Sequence, residues 1–180
     1  MEKRLVALYD LHIPYTIDLE PIYKFLKDFK PNVVIIGGDF LDLPYLSCWS
    51  QRRLEYFMED KPRAEYDNDI KEANNILDII DDCCEEGAEK EYLEGNHEFR
   101  LHQLTNQFYD KKRTILDIYD YKKDLMLSER NYDWHSYNQV IKKGCLFYTH
   151  GVYHTVNHSR KHLQVYSRNI RYGHLHTYRS

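Results

Sequence analysis

Four short apolar runs in this chain each lead to a side chain that can bind a metal or move a proton. Leu5 to Tyr9 stops at Asp10. Val33 to Ile36 passes through Gly37-Gly38 to Asp39. The run in "AEKEYLEGNHE" reaches Asn96, and the one in "KKGCLFYTHG" reaches His150. Between the first two lies "DLEPIYKFLKDFKP", with Leu19, Ile22, Phe25, Leu26 and Phe29 at helical spacing, Asp18 as N-cap, Pro21 in the first turn and Pro31 as the stop. A second helix is expected from Asn68 to Glu86, on the stripe Ile70, Ala73, Ile76, Leu77 and Ile80. This alternation predicts an α/β fold, with Val33 to Ile36 buried on both faces. In open α/β sheets ligands gather at the carboxyl ends of the strands, so four reactive side chains would share one edge. A last strand is read in "NIRYGHLH". There His174 and His176 would project from one face, about 6.6–7 Å apart.

The length of 180 residues fits a single domain, 1–180, with a sizeable core. Segments 43–67 and 100–138 fit the alternation less well and read as insertions beside the site. The first carries Trp49, Gln51, Arg52, Arg53, Tyr56 and Phe57; the second is polar and expected to be helical. No stretch approaches membrane-spanning length, and the first apolar run is too short for a signal peptide. Cys83 and Cys84 are adjacent, which suits neither a zinc knuckle nor a CxxC pair, so a cytoplasmic chain with reduced thiols is expected and no membrane partner. The net charge is −4, yet Val152 to Ser180 holds Arg160, Lys161, Arg168, Arg171 and Arg179 without one acidic residue. That balance argues against a long nucleic-acid groove and for the receipt of phosphate at one place. The 17 tyrosines show no usable pattern.

The loops after the runs read "DLH", "GGDFLD", "GNHE", "THG" and "GHLH". In order and spacing they resemble the five motifs of the calcineurin-like metallophosphoesterase superfamily: D-x-H, G-D-x-x-D, G-N-H-D/E, H and G-H-x-H. One such motif is weak; five in order, each after an expected strand, are specific. The resemblance spans Asp10 to His176 and implies a β-sandwich flanked by helices. It also implies Asp10, His12 and His176 on one metal, Asn96, His150 and His174 on the other, and Asp39 bridging. His97 matches the family's non-ligand catalytic histidine, with Glu98 positioned to orient its ring. Asp42 fits the last place of G-D-x-x-D and reads as a supporting residue.

The chemistry of that set is consistent with the resemblance. Two divalent ions about 3.5–4 Å apart need an anionic bridge and neutral ligands. Imidazole, carboxylate and amide oxygen without thiolate favour Mn, with Fe, Zn and Ni as alternatives. A water on such a centre ionises near pH ~7, and the bridging hydroxide attacks phosphorus in line, so no protein nucleophile is needed. The expected activity is phosphoester hydrolysis, leaning toward a phosphodiester of a nucleotide or nucleic acid. Arg100, Arg160 and Lys161 are the candidate substrate contacts. A phosphomonoesterase and a non-catalytic scaffold on the same fold are the alternatives. His154, His158 and His162 would share one helix face, as a rim toward phosphate or toward solvent. Family domains continue past G-H-x-H with further strands, whereas only Thr177 to Ser180 follow here, so a sandwich lacking its last strands is expected.

Overall fold

The computed structural model describes residues 2–47, 60–108 and 112–175. His176 and the residues Trp49, Gln51, Arg52, Arg53, Tyr56 and Phe57 lie outside them, as does Arg179. The described chain is mixed α/β, with two sheets and helices. Strands β1 (Leu5–Leu8), β2 (Val33–Ile36), β3 (Glu89–Leu93) and β4 (Tyr132–His135) form one parallel sheet in that order. β5 (Ile141–Lys143) and β6 (Leu146–Tyr148) make an antiparallel pair, and β7 (Ile170–Arg171) joins β6 in parallel. The helices are α1 (Glu20–Phe29), α2 (Asp60–Cys83), α3 (Phe99–Gln107), α4 (Lys112–Ile118), α5 (Tyr121–Asp124) and α6 (His158–Tyr166).

The period of two along each strand sorts the core into two layers. Val34, Ile36 and Tyr92 point to one face of the four-stranded sheet, where Leu26 of α1 and Ala73, Leu77 and Ile80 of α2 cover them. Ile35 and Leu93 point to the other face, against Ile141 and Tyr148 of the second sheet. Each fully buried aliphatic side chain contributes roughly 1.5–3 kcal/mol. All four residues of β2 are buried, because this central strand has a helix layer on one side and a sheet on the other.

At α1 Pro21 occupies the first turn and Lys30 closes the end in a left-handed conformation before Pro31, as expected. The N-cap is Leu19 and not Asp18, whose carboxylate lies one residue further out and accepts the Glu20 backbone N–H at 3.0 Å. α2 begins eight residues earlier than expected, at Asp60, and adds the buried Tyr66 to the stripe. β4 falls inside the segment read as a helical insertion. It is an edge strand whose Asp133 and His135 alternate with Tyr132 and Trp134, so it lacks the continuous apolar run that marks the inner strands.

The tyrosines acquire a pattern in space. Buried rings send their hydroxyls to carboxylates: Tyr45 to Asp69 (3.0 Å), Tyr66 to Asp124 (2.6 Å), Tyr92 to Glu98 (3.2 Å), Tyr121 to Glu94 (2.7 Å) and Tyr132 to Asp81 (3.1 Å). Each ring fills core volume while its polar end finds an acceptor. Among the described residues, no helix is long and apolar enough to cross a membrane.

Candidate metal centre

The loops at the carboxyl ends of β1, β2, β3 and β6 converge, and the chain after β7 joins them. Backbone pairing carries them past the strands: Asp10 N–H donates to Gly38 O, His12 N–H to Asp39 O, and Gly173 N–H to His150 O. Asp10, His12, Asp39 and His174 all take positive φ, at 55°, 49°, 49° and 69°. Non-glycine residues rarely hold this conformation, and surrounding contacts must enforce it. Gly95 shows how close the approach is. A Cβ there would lie 2.1 Å from the Asp39 backbone nitrogen and 2.2 Å from its Oδ1.

His174 corrects the strand reading of "NIRYGHLH". β7 ends at Arg171, and the left-handed turn at His174 takes its ring off any strand face. Its placement comes instead from its own backbone N–H, which donates to both Asp10 oxygens at 3.0 and 2.9 Å.

Two groups of donor atoms form, each within 4.8 Å: Asp10 with His12 and Asp39, and Asp39 with His150 and His174. Asp39 belongs to both and is 1% exposed. Its Oδ1 accepts the His97 backbone N–H at 2.9 Å; its Oδ2 lies 3.3 Å from His150 Nε2 and 3.8 Å from His12 Nε2. Asn96 Oδ1 is 2.9 Å from the same His150 nitrogen. On each ring the other nitrogen is engaged. His150 Nδ1 faces Gly37 O at 3.1 Å, and His12 Nδ1 faces Asp42 Oδ1 at 2.9 Å. When the imidazoles are neutral these oxygens hold the proton on Nδ1, which leaves each Nε2 lone pair to a cation near Asp39. With the shared carboxylate the two rings make a donor set that could hold divalent cations, His150 giving up to the cation the Nε2 proton it otherwise shares with Asp39.

The electrostatics follow from burial and pairing. Burial opposes ionisation of Asp39, but the hydrogen bond and charge of His150, then His97, outweigh it and hold the carboxyl below its usual range. Burial likewise opposes the charge on His150, and Asp39 overrides it, raising the imidazole. Burial, followed by the His150 charge, lowers His174.

A third group, His12, Asp42 and His97, adjoins the first. Asp42 Oδ1 takes the Nδ1 of both rings, each at 2.9 Å, and burial of the carboxyl is outweighed by these two bonds, which hold it far below its usual range. Arg100 donates to the Asp42 and Leu43 carbonyls and to His97 Nε2 at 3.2 Å. Asp42, read from the sequence only as a supporting residue, is therefore the group that orients His97. The expected partner, Glu98, is occupied elsewhere. Fully buried, it accepts the backbone N–H groups of Asp39, Phe40, Leu41 and Gly95 at 2.7–3.2 Å, and the Tyr92 hydroxyl. Its role is to tie the "GGDFLD" loop to the "GNHE" loop.

Of the candidate substrate contacts, Arg100 stands beside His97, whereas Arg160 and Lys161 are exposed on α6, with the Lys161 ammonium over the Tyr153 ring. α6 begins at His158, so His154 precedes it and the three histidines share no helix face. His162 is buried, stacked on Tyr172 with ring centres 3.8 Å apart, and bonded to the His158 carbonyl. It is a core residue. No family model matches the chain, and neither does a curated protein or a solved structure.

Proposed function

We propose that the chain is a metal-dependent phosphoesterase of the calcineurin-like type that its five motifs resemble. The observation that carries this reading is the buried Asp39 carboxylate shared by two donor groups. Asp10 and His12 would hold one cation with Asp39, and His150, His174 and Asn96 the other. Mn is the favoured ion for such an oxygen and imidazole set, with Fe, Zn and Ni as alternatives. Cations bound there supply Lewis acidity at the phosphoryl oxygens and acidify the attacking water.

The chain's own groups do the rest. Asp42 keeps a proton on His97 Nδ1 and favours the imidazolium, against the burial that opposes it; the net effect is a raised His97. Arg100 donates to Nε2 until a phosphoryl oxygen gives its guanidinium a better partner. Nε2 then takes up a proton from solvent, giving the imidazolium that Asp42 favours, and passes that proton to the leaving oxygen. The Asp42 carboxylate beside the site disfavours a dianionic ester, which supports a phosphodiester substrate over a monoester.

The test is hydrolysis of bis-p-nitrophenyl phosphate and p-nitrophenyl phosphate with added Mn²⁺ and with chelator, for the native chain and Asp39→Asn. Metal-dependent turnover, faster on the diester and lost in the variant, is the expected result. A folded protein that neither binds metal nor turns over either ester overturns the reading and leaves a scaffold.

A further inference from the structure

A cavity of 770 Å³ opens beside the candidate centre. Its lining joins the His12 and His97 rings and the Asp10 and Asp42 carboxylates to an apolar set that includes Leu11, Tyr15, Ile17, Ile22 and Leu175. The loop from β1 to α1 builds most of this apolar wall. Its Leu19 turns into the core at 6% exposure, yet Tyr15 remains 67% exposed and Ile17 79%. The loop is fixed to the site through the Tyr15 N–H, which donates to the His12 carbonyl. Among the described residues that line the cavity there is no lysine or arginine. A second phosphate placed along the apolar lining would find no lysine or arginine there, whereas a neutral ring would cover apolar surface now open to water.

His97 is part of the lining, so an ester whose leaving oxygen it protonates extends its leaving group into this cavity. We propose that the cavity receives the leaving alcohol of the ester, and that this alcohol is uncharged and ring-bearing, an aryl or similarly apolar group, rather than a polyphosphate or a nucleic-acid strand. The bond broken is the P–O bond to that alcohol: water adds hydroxide to phosphorus, and a proton passes to the alcohol oxygen. The identity of the bond rests on the phosphoesterase reading; the preference for a neutral ring rests on the lining.

The experiment has two arms. In the first, without metal or turnover, 1-naphthol and naphthalene-1,5-disulfonate are titrated into the protein while the Tyr15 ring signals are followed by NMR. Naphthol is expected to bind at least tenfold tighter than the disulfonate, and Ile17→Asp, at an exposed position, to weaken it about tenfold. In the second, kcat/KM is compared with Mn²⁺ for methyl phenyl phosphate and for methyl 4-carboxyphenyl phosphate. The neutral ester is expected to be favoured at least tenfold, and Ile17→Asp to shrink that ratio. Equal binding of the disulfonate, or indifference to Ile17→Asp, overturns the inference, as does a preference for the charged ester. Selective naphthol binding in a protein that neither binds Mn²⁺ nor turns over either ester supports the cavity's preference and removes the phosphoesterase reading alone.

Discussion

The carboxylate of Glu98 accepts the backbone N–H of Asp39 at 3.2 Å, across 59 residues of chain. Burial and the Asp39 charge push this carboxyl up to about 7, while backbone N–H donation pulls it down. Removing its oxygens would strand several buried N–H groups, each worth about 1–3 kcal/mol when left unpaired. Glu98→Ala is expected to lose roughly 3 kcal/mol or more in urea unfolding. Glu98→Gln retains part of the acceptor and is expected to fold, with Mn²⁺ affinity by calorimetry about 10–100-fold weaker, as for other residues that orient metal ligands. Unchanged affinity in a folded Glu98→Gln protein would reduce the residue to a purely structural tie.

Asp42 binds two imidazoles through one oxygen, and its replacement should show both connections. Asp42→Asn is expected to lower kcat about 10²-fold, the scale of general acid catalysis. The loss should be larger for alkyl than for p-nitrophenyl esters, because a nitrophenolate departs without a proton. Mn²⁺ affinity should fall as well, through His12. Equal loss on both ester types would remove His97 from leaving-group protonation.

Asp69 offers a pH dependence away from the centre. Burial, and after it the charges of Glu72, Asp42 and Glu65, raise its pKa from 3.8 to about 6, although the Tyr45 hydroxyl bond pulls the other way. Between about pH 4 and 6 the folded state therefore holds more protons than the unfolded chain, so this group's contribution falls as pH rises. Asp69→Asn keeps an acceptor for Tyr45 and removes the cost. The variant should match the native chain below pH 4 and exceed it by roughly 1–2 kcal/mol above pH 6, measured by denaturant unfolding across that range. A difference independent of pH would assign the effect to packing.

The sequence carried the parts whose chemistry sits on side chains at strand ends. Asp10, Asp39, Asn96 and His150 were legible because each follows an apolar run, and parallel neighbours then bring those ends together. The partner of Glu98 was not legible, because backbone N–H groups have no residue-type signature. β4 escaped because an edge strand needs only one apolar face. His174 was placed on a strand by the two-residue spacing of the histidines, yet the bond from its N–H to Asp10 and a φ of 69° decide its position. The bond is made to a residue 164 positions away.

The tyrosine–carboxylate pairs have a consequence for how the protein absorbs light. Burial, with the neighbouring acids, raises the hydroxyl pKa of Tyr45, Tyr66, Tyr92, Tyr121 and Tyr132 above the ordinary 10. In alkali the intact interior withholds the phenolate band of these five rings. When the layers separate, the hidden rings ionise together, so the ultraviolet spectrum at high pH distinguishes a closed core from an opened one without any added label.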